Sequence, residues 1–568
     1  MSYDLLIRGG SVVDGSGLPR FRADVGVIDG RIARIGRIRE RAREVIDAEG
    51  HVVAPGFVDG HTHMDAQICW DPLGTCSSYH GVTSVVMGNC GFTLAPSRES
   101  ERHLVVRNLE RAEDIAAEAM AQGIDWTWET YREYLETLDG LPKGINYSGY
   151  VGHSALRTFA MGERAFEETA GPEDLVAMQR ELRDALQAGA MGFTTSRTFN
   201  HQTSDDRPVA SRLASWEEVR ALVGVMGEAG GGLFEIANED APLSDPEARE
   251  EYFERLSALA LETGVPITYG VGSSRHEPEG WRDWIDLMDS TAEQGGRMFA
   301  QVHARAFNVM ISFKTRLPFD GLPSWRELRA QPLDAQAAAL RDPATRARLV
   351  AAAYTEEYGE AVGAEARKPD FDWTYVMEDA LGPHTSLADL AKQRGVDPVE
   401  LMIDLALESD FDCWFVQAFA NELPEQVLAL MKHPRSVVTF SDSGAHVSQI
   451  SDASIPTHVL GHWVRAAQRL TLEEGVRMLT LEPASAFGFH DRGLLREGLV
   501  ADLVVFDPER VGPQLPEVVY DLPGGARRLL QRATGIAASV VAGQVLMRDG
   551  QHTGALPGRI LRGPLARA

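Results

Sequence analysis

Short runs in which apolar and polar residues alternate, separated by glycine and aspartate, occupy both ends of the chain. Near the start they read YDLLIRGG, ADVGVIDG and RIARIG, and near the end VADLVVFDP and GIAASVVAGQVL. Alternation with a period of two, ended by turn-forming residues, predicts short half-buried strands. We therefore predict one small β domain that is assembled from residues 1–56 and 492–568.

The central part, residues 57–491, has a different rhythm. Short apolar runs such as TSVVMGNCG, AGAMGFTTS and SVVTFSDSG alternate with long helical patterns. This alternation predicts an α/β fold, a parallel (β/α)₈ TIM barrel whose functional groups lie at the carboxyl ends of its strands. Residues 314–400 interrupt the rhythm with a helix-rich insertion that contains several prolines. The insertion fits either an ordinary surface excursion or a lid beside the barrel mouth.

The charge balance narrows the possible partners. The 568 residues include 83 Asp and Glu against 55 Lys and Arg, a formal charge of −28, which phosphate backbones and anionic lipids repel. Four cysteines are too few to form a disulfide framework in a chain of this size. The first residues lack a secretory pattern, and no apolar run is long enough to cross a membrane. We expect a cytoplasmic homo-oligomer that binds a small-molecule substrate and neither nucleic acid nor membrane.

Candidate chemistry lies at the ends of predicted barrel strands. His61 and His63, in GFVDGHTHMD, are two apart and can point to one place, and neutral imidazole is a common metal ligand. Cys90 in VVMGNCG and Asp442 in TFSDSGAH end other apolar runs, where a thiolate or carboxylate can bind a cation and Asp442 can accept a proton from water. Each has an ordinary alternative: hydrogen-bonded histidines, a buried apolar cysteine, an aspartate turn. Their common position favours a metal-dependent site.

The stretches PGFVDGHTHMD, VVMGNCGFTLAP, TFSDSGAH and EPASAFGFHDRGLLREGLVADLVVFD resemble the amidohydrolase superfamily, in particular its N-acyl-D-amino-acid deacylase (D-aminoacylase) branch. The resemblance covers nearly the whole chain. It implies a barrel with a small β-sandwich domain from both termini and one or two divalent ions, with zinc expected. It also implies His61 and His63 as a metal pair, Cys90 as a thiolate ligand and Asp442 as ligand and general acid/base.

The chain departs from that branch at two strands. Relatives have a ligand histidine after strand 5, where this chain has Glu235 in FEIANE. A second histidine is expected after strand 6, where this chain offers Tyr269, Gly270 and Val271. The lysine that follows that second histidine in relatives is absent as well.

Three interpretations of this departure stay open. Glu235 can replace a histidine as an oxygen ligand, which favours harder cations. Alternatively His446 or His303, which both lie near predicted strand ends, can supply the missing imidazole. In the third interpretation the barrel has lost its metal and is retained for binding or assembly, although the presence of His61, His63 and Asp442 weighs against this.

Substrate recognition is predicted from charge and position. A substrate carboxylate suits a guanidinium group, and Arg197, Arg275 and Arg305 follow predicted strands or lie in nearby loops. Tyr269 is a candidate wall of the pocket. We predict a metal-dependent amidohydrolase that cleaves the C–N amide bond of an N-acyl (D-)amino acid or a related small amide. The alternatives are a hydrolase that opens a cyclic imide, hydantoin or lactone, and a non-catalytic scaffold.

Overall fold

The computed structural model describes residues 2–239, 245–359, 364 and 367–567. Residues from both ends of the chain form one sheet, because strand Val52–Pro55 pairs antiparallel with strand Leu503–Phe506. Nine strands of the described chain belong to this sheet: Tyr3–Val12, Phe21–Ile28, Arg31–Gly36, Ala42–Asp47, Val52–Pro55, Leu503–Phe506, Ile536–Val541, Gln544–Arg548 and Gln551–His552. Their inward residues, for example Val25, Val53 and Val505, form a separate apolar core.

Eight parallel strand positions form the barrel, and several of them are split into two short segments. In chain order they are Phe57–Asp59 with His61–Thr62, Val82–Met87, Asn146–Gly149 with Val151–Gly152, Gly192–Ser196, Leu233–Ala237, Ile267–Gly270, Met298–Val302, and Ser436–Val438 with Phe440–Ser443. The eighth strand pairs with the first through Phe440 and His61, which closes the ring. Histidine 61 is therefore fixed in the seam that joins the two ends of the barrel.

Helices cover the outside of the barrel and present apolar faces to it. The helix Pro172–Ala188 shows why they form: proline starts its first turn, Gly189 ends it at φ 116°, and Met178, Leu182 and Ala185 are buried. The other helices of the barrel and its loops are Arg102–Glu110, Ala117–Gly123, Tyr131–Gly140, His153–Met161, Trp216–Ala229, Pro246–Thr263, Gly280–Glu293, Pro424–Lys432, Ile455–His458, Leu472–Leu479 and Leu481–Ala486. Short 3₁₀ turns are Gln67–Cys69, Ser77–His80, Asn89–Gly91, Glu99–Glu101, Gly162–Phe166, Ala210–Leu213, Asp452–Ser454 and Pro523–Gly525.

The insertion between the seventh and eighth strands has its own sheet and core. Its strands are Phe307–Ile311, Thr374–Val376, Thr385–Ser386 and Phe415–Ala420, and its helices are Pro323–Arg329, Leu333–Arg341, Pro343–Thr355, Leu387–Arg394 and Pro398–Glu408. Trp325 and Phe415 belong to the core between them. The range 314–400 that the sequence marks as an insertion falls inside this unit, and the two outer strands lie beyond it.

Two smaller features complete the fold. A hairpin of strands Glu517–Leu522 and Ala526–Leu530, and the short pair Gly512–Pro513 with Ala533–Thr534, lie after the barrel. A π-helix spans Val459–Ala466 directly after the helix Ile455–His458. None of the described helices is both long and apolar enough to span a membrane.

Candidate metal centre and active site

His61 and His63 lie side by side at the carboxyl end of the first barrel strand. Both are buried, with 1% and 5% of their surface exposed. Each directs Nε2 toward the same carboxylate oxygen: Asp442 Oδ1 lies 3.2 Å from His61 Nε2 and 3.4 Å from His63 Nε2. The structure thus brings together the three residues on which the sequence prediction depended most.

Cys90 is held in the cluster by a tight turn after the second barrel strand. The turn Asn89–Gly91 places Cys90 at φ 55°, and the Asn89 side chain fixes it by donating to the carbonyl oxygens of Thr62 and Val86. Cys90 Sγ lies 3.6 Å from His61 Nε2. Burial raises the pKa of the Cys90 thiol well above its usual value, so the thiolate forms here only when a cation compensates its charge.

Asp442 ends the eighth strand in a left-handed conformation, φ 52°. Burial favours its neutral form, but the hydrogen bonds and charges of His61 and His63 outweigh burial and hold the pKa of Asp442 well below its usual range. Asp442 is therefore a carboxylate that faces two imidazoles.

Two residues that the sequence prediction missed lie beside the imidazoles, and one of them, Gln301, is within hydrogen-bond distance of its ring. Gln301 Oε1 lies 2.6 Å from His61 Nδ1, and Glu113 Oε1 lies 3.5 Å from His63 Nδ1. An acceptor at Nδ1 keeps the proton there and leaves the Nε2 lone pair for a metal, the arrangement found around metal-ligating histidines. The sequence could have identified Gln301, since it lies one residue before the end of the apolar seventh strand. Glu113 lies in a loop with no distinguishing pattern.

Three contacts between these atoms have the length found between neighbouring ligands of a tetrahedral metal ion. Zinc bonds of about 2.0–2.3 Å to nitrogen, oxygen and sulfur place neighbouring ligand atoms about 3.3–3.7 Å apart. The three contacts above measure 3.2, 3.4 and 3.6 Å. Among the described residues, His61, His63 and Cys90 are the one group of three such side chains whose ligand atoms all lie within 4.8 Å of one another. Two imidazoles, a thiol and a carboxylate are ligands that zinc accepts.

Glu235 lies beside Cys90 at the end of the fifth strand. Its Oε2 accepts the Cys90 backbone N–H at 2.8 Å, and its Oε1 is 4.0 Å from Cys90 Sγ. Burial raises the pKa of Glu235 to about 8. On the sixth strand Gly270 lines the cavity without a side chain, while Tyr269 is fully buried against Trp284, 5.1 Å between ring centroids. The structure places Tyr269 in the core and outside the cavity lining.

The two histidines considered as replacements have different surroundings. His446 lines the same cavity, and its backbone N–H donates to the carbonyl of Glu113. His303 lies outside the cluster, with Nε2 3.0 Å from Asp452 and Nδ1 2.9 Å from the carbonyl of Arg305. The geometry brings neither ring into the group of His61, His63 and Cys90.

The three candidate substrate-binding arginines are all engaged by carboxylates. Arg197 pairs with Glu239 at 3.0 Å, Arg275 with Asp370 at 2.6 Å, and Arg305 with Asp452. None of the three lines the cavity above the cluster. The carboxylates that pair with these arginines lie far away along the chain, so the sequence pattern alone does not reveal the pairs.

A cavity of about 610 Å³ opens above the cluster. A row of aromatic rings forms one wall: Phe440 lies 4.0 Å from His61, Phe307 lies 5.4 Å from Phe440, and Phe419 lies 5.9 Å from Phe307, measured between ring centroids. The guanidinium of Arg367, also in the lining, stacks 4.9 Å from the Phe419 centroid. The insertion supplies Phe307, Phe419 and Arg367, so it acts as a wall of the cavity.

Comparison with known proteins agrees with this geometry. A model of the amidohydrolase family matches residues 44–547. A D-aminoacylase from Alcaligenes xylosoxydans xylosoxydans is 28% identical over 98% of this chain and 97% of its own length, and an uncharacterized protein of Mycobacterium tuberculosis is 29% identical over 98% and 93%. The structure of an N-acyl-D-glutamate deacylase from Bordetella bronchiseptica, complexed with zinc and a phosphonate mimic of the tetrahedral intermediate, aligns with a TM-score of 0.65, 26% identity, and 99% and 100% coverage.

The chain belongs to the amidohydrolase family. The predicted fold, a TIM barrel with a small β domain from both termini, is confirmed by these relatives and by the strand pairings above. The predicted resemblance to the N-acyl-D-amino-acid deacylase branch is confirmed as well.

Proposed function

We propose that this amidohydrolase cleaves the C–N bond of an N-acyl-D-amino acid with a bulky apolar side chain, and that it uses one zinc ion. The observation that carries the proposal is the group of His61, His63 and Cys90 below a 610 Å³ cavity, with Asp442 Oδ1 in contact with both imidazoles. Deacylases of N-acyl-D-aspartate and N-acyl-D-glutamate among the relatives support the D-configuration.

The chain's own residues explain the hydrolysis. A zinc ion, when bound, supplies a Lewis acid that lowers the pKa of water to about 7 and polarises the amide carbonyl. The carboxylate of Asp442 lies beside both imidazoles below the cavity, where it can accept the proton of the attacking water. It then returns this proton to the leaving nitrogen as the C–N bond breaks, so that the products are a carboxylic acid and an amine, which exist as carboxylate and ammonium at neutral pH. Gln301 keeps the His61 imidazole oriented during the reaction.

The donor set favours a single ion. Strands five and six offer Glu235 alone near Cys90, since Gly270 has no side chain and Tyr269 points away. A second ion there would have a thiolate shared with the first and one carboxylate as its protein ligands, a set with no imidazole. Glu235 instead accepts a hydrogen bond from the backbone of Cys90, which supports a role in holding the turn.

The lining of the cavity supports the substrate class. The row Phe440, Phe307 and Phe419 presents apolar surface beside the cluster, which suits a bulky apolar side chain. The Arg367 guanidinium packs on the Phe419 ring at the end of that row.

The proposal is tested first by metal content. Protein purified without chelator should hold about one zinc per chain, and His61→Ala and His63→Ala should each lose it. His276→Ala, an exposed histidine outside the cavity lining, is the matched control and should keep the metal. Metal-free parent protein, or metal retained in both cluster variants, contradicts the proposal and favours a scaffold.

A substrate panel separates the enzymatic alternatives. We expect kcat/KM to be highest for N-acetyl-D-phenylalanine and N-acetyl-D-leucine, lower for N-acetyl-D-alanine, and lowest for the L-isomers and for hydantoins. Preference for a cyclic imide, hydantoin or lactone would contradict amide cleavage and support a ring-opening hydrolase.

Formation of a homo-oligomer stays a prediction, and size-exclusion chromatography with light scattering would test it.

A further inference from the structure

A second cavity, of about 210 Å³, lies behind the wall of the active-site cavity. The strand Phe307–Ile311 separates them, because alternate side chains of a strand point to opposite faces. Phe307 and Val309 line the active-site cavity, and Asn308 and Met310 line the second one. The two cavities have no lining residue in common within the described chain.

Nitrogen atoms without hydrogen-bond partners surround this second cavity. His458, 6% exposed, has a buried Nδ1 with no partner among the described residues, and the same holds for Nδ1 of His384 and Nε of Arg305. All three residues line the cavity. Arg305, His384 and His458 therefore bring nitrogens with spare hydrogen-bonding capacity to the residues that line one space, which gives a polar ligand possible donors there.

The acidic groups nearby are already engaged. Asp452 contacts both Arg305 and His303, and Glu422, whose side chain is 1% exposed, lies 3.4 Å from Arg275. The groups of the lining that still can form hydrogen bonds are therefore donors: a guanidinium N–H and imidazole nitrogens that can carry a proton. The rest of the lining is largely apolar and includes Met310, Met377, Leu381 and Trp463.

A π-helix borders the second cavity. His458 ends a regular helix and is followed by the π-helix Val459–Ala466, which also contributes His462 to the lining. The two imidazoles stack with their centroids 5.0 Å apart. Wider π turns inside helices occur frequently at functional sites, and this one brings His462 and Trp463 to the cavity wall.

We propose that the second cavity binds a small aliphatic monocarboxylate. Its carboxylate accepts hydrogen bonds from Arg305 and His458, and its hydrocarbon part lies between Met310, Met377 and Leu381. The volume equals that of about seven water molecules, which is enough for an acid of about four to six carbons. An N-acyl amino acid with a bulky side chain would not fit. The binding proposal does not depend on the proposed hydrolysis, although hydrolysis would release a ligand of this class.

Calorimetric titration of the metal-loaded parent protein with butyrate tests the proposal. We expect saturable binding, at least about tenfold weaker for the neutral isostere butyramide. His458→Leu removes a donor, and Ala380→Leu fills the cavity from another element; each should weaken butyrate binding at least about tenfold. Phe419→Ala, whose ring faces the active-site cavity, is the control and should bind butyrate as the parent does.

The same titration on His61→Ala separates this proposal from the proposed function. Butyrate could also bind a metal in the active site, but that binding would disappear together with the metal. Binding that persists in His61→Ala and weakens in His458→Leu or Ala380→Leu supports the second site, whether or not the enzyme hydrolyses amides. Absence of saturable binding by the parent, or binding unchanged in both cavity variants, overturns it. Because the two variants act on different elements, misfolding of one leaves the other as the test.

Discussion

At the scale of single residues, the metal centre depends on side chains that do not belong to the cluster itself. His61 can offer Nε2 to a metal only while its other nitrogen keeps a proton, and Gln301 Oε1 accepts a hydrogen bond from that nitrogen at 2.6 Å. Glu113 Oε1 lies 3.5 Å from His63 Nδ1 and forms no hydrogen bond with it. Orienting partners of this kind typically contribute a factor of 10–100 in metal affinity.

We predict that Gln301→Leu weakens zinc binding about 10–100-fold without abolishing it. Leucine is similar in size but accepts no hydrogen bond, so His61 loses the interaction that fixes its tautomer. Competition with a colorimetric chelator measures the affinity. Gln294→Leu, at an exposed helix end, is the control and should leave the affinity unchanged. Equal affinities in the two variants would show that the contact with Gln301 has no orienting role.

The residue scale also shows how far the sequence could lead. His61, His63, Cys90 and Asp442 were predictable because each follows an apolar strand, and parallel strands in a barrel end at one rim. Arg197 and Arg305 follow strands equally well, yet Glu239 and Asp452 hold them outside the cavity. Their carboxylate partners lie 42 and 147 positions away along the chain. The pattern of apolar and polar residues does not show such distant pairs, so it cannot predict whether an arginine faces a substrate or a carboxylate.

At the scale of elements, the insertion forms part of the site. Its outer strands contribute Phe307 and Phe419 to the aromatic row, and Phe307 also stacks on His303, 4.4 Å between centroids. A helix-rich pattern was enough to predict an insertion, but the two short strands that border it were missed, because short apolar runs between long helical patterns carry a weak signal.

Phe419→Ala should change substrate selection more than catalysis. We expect KM for N-acetyl-D-phenylalanine to rise about tenfold, since one aromatic contact stabilises binding by about 1 kcal/mol. The kcat should change little, and KM for N-acetyl-D-alanine should stay close to that of the parent. Tyr354→Ala, another exposed aromatic of the insertion, serves as the control. An equal effect on both substrates would contradict the assignment of the aromatic row to the apolar side chain.

Two helices of the barrel are joined by a buried ion pair. Glu218, on helix Trp216–Ala229, lies 2.5 Å from Arg157 and 2.9 Å from His153, both on helix His153–Met161. Burial alone would raise the pKa of Glu218, but these two partners outweigh it and lower the pKa to about 2 from an ordinary 4.5. The stability that this carboxylate contributes is therefore complete above pH 4.5 and is lost as the pH falls toward 2.

Glu218→Gln should accordingly make the free energy of unfolding less dependent on pH below pH 4.5. A depression of this size corresponds to about 3 kcal/mol in the free energy of unfolding. We expect the variant to be less stable than the parent at neutral pH, with the difference shrinking below pH 4.5. Urea unfolding at a series of pH values measures it. A difference that stays constant across this range would exclude the ion pair as its source.

At the scale of the whole molecule, a buried carboxylate connects the terminal sheet to the barrel. Asp502, beside the strand Leu503–Phe506, accepts hydrogen bonds from Asn146 on the third barrel strand at 3.0 Å and from the Ala542 backbone at 2.7 Å. Arg492, the first residue of the C-terminal segment, donates to it at 2.6 Å. Asn146 of the barrel therefore adds a hydrogen bond to a buried polar cluster of the C-terminal segment, which links the two parts of the fold.

Asp502→Asn should destabilise both parts together. The substitution removes the buried carboxylate partner of Arg492 and leaves it only the half-exposed Asp491, so we expect a cost of up to about 3–5 kcal/mol. Asp491→Asn is a matched control, because Asp491 also contacts Arg492 at 3.0 Å but half of its side chain is exposed, and it should cost less than about 1 kcal/mol. Urea unfolding, followed by tryptophan fluorescence for the barrel and by hydrogen exchange in the terminal sheet, should show both probes shifting equally. A shift confined to the terminal sheet would mean that the barrel keeps its stability without this connection.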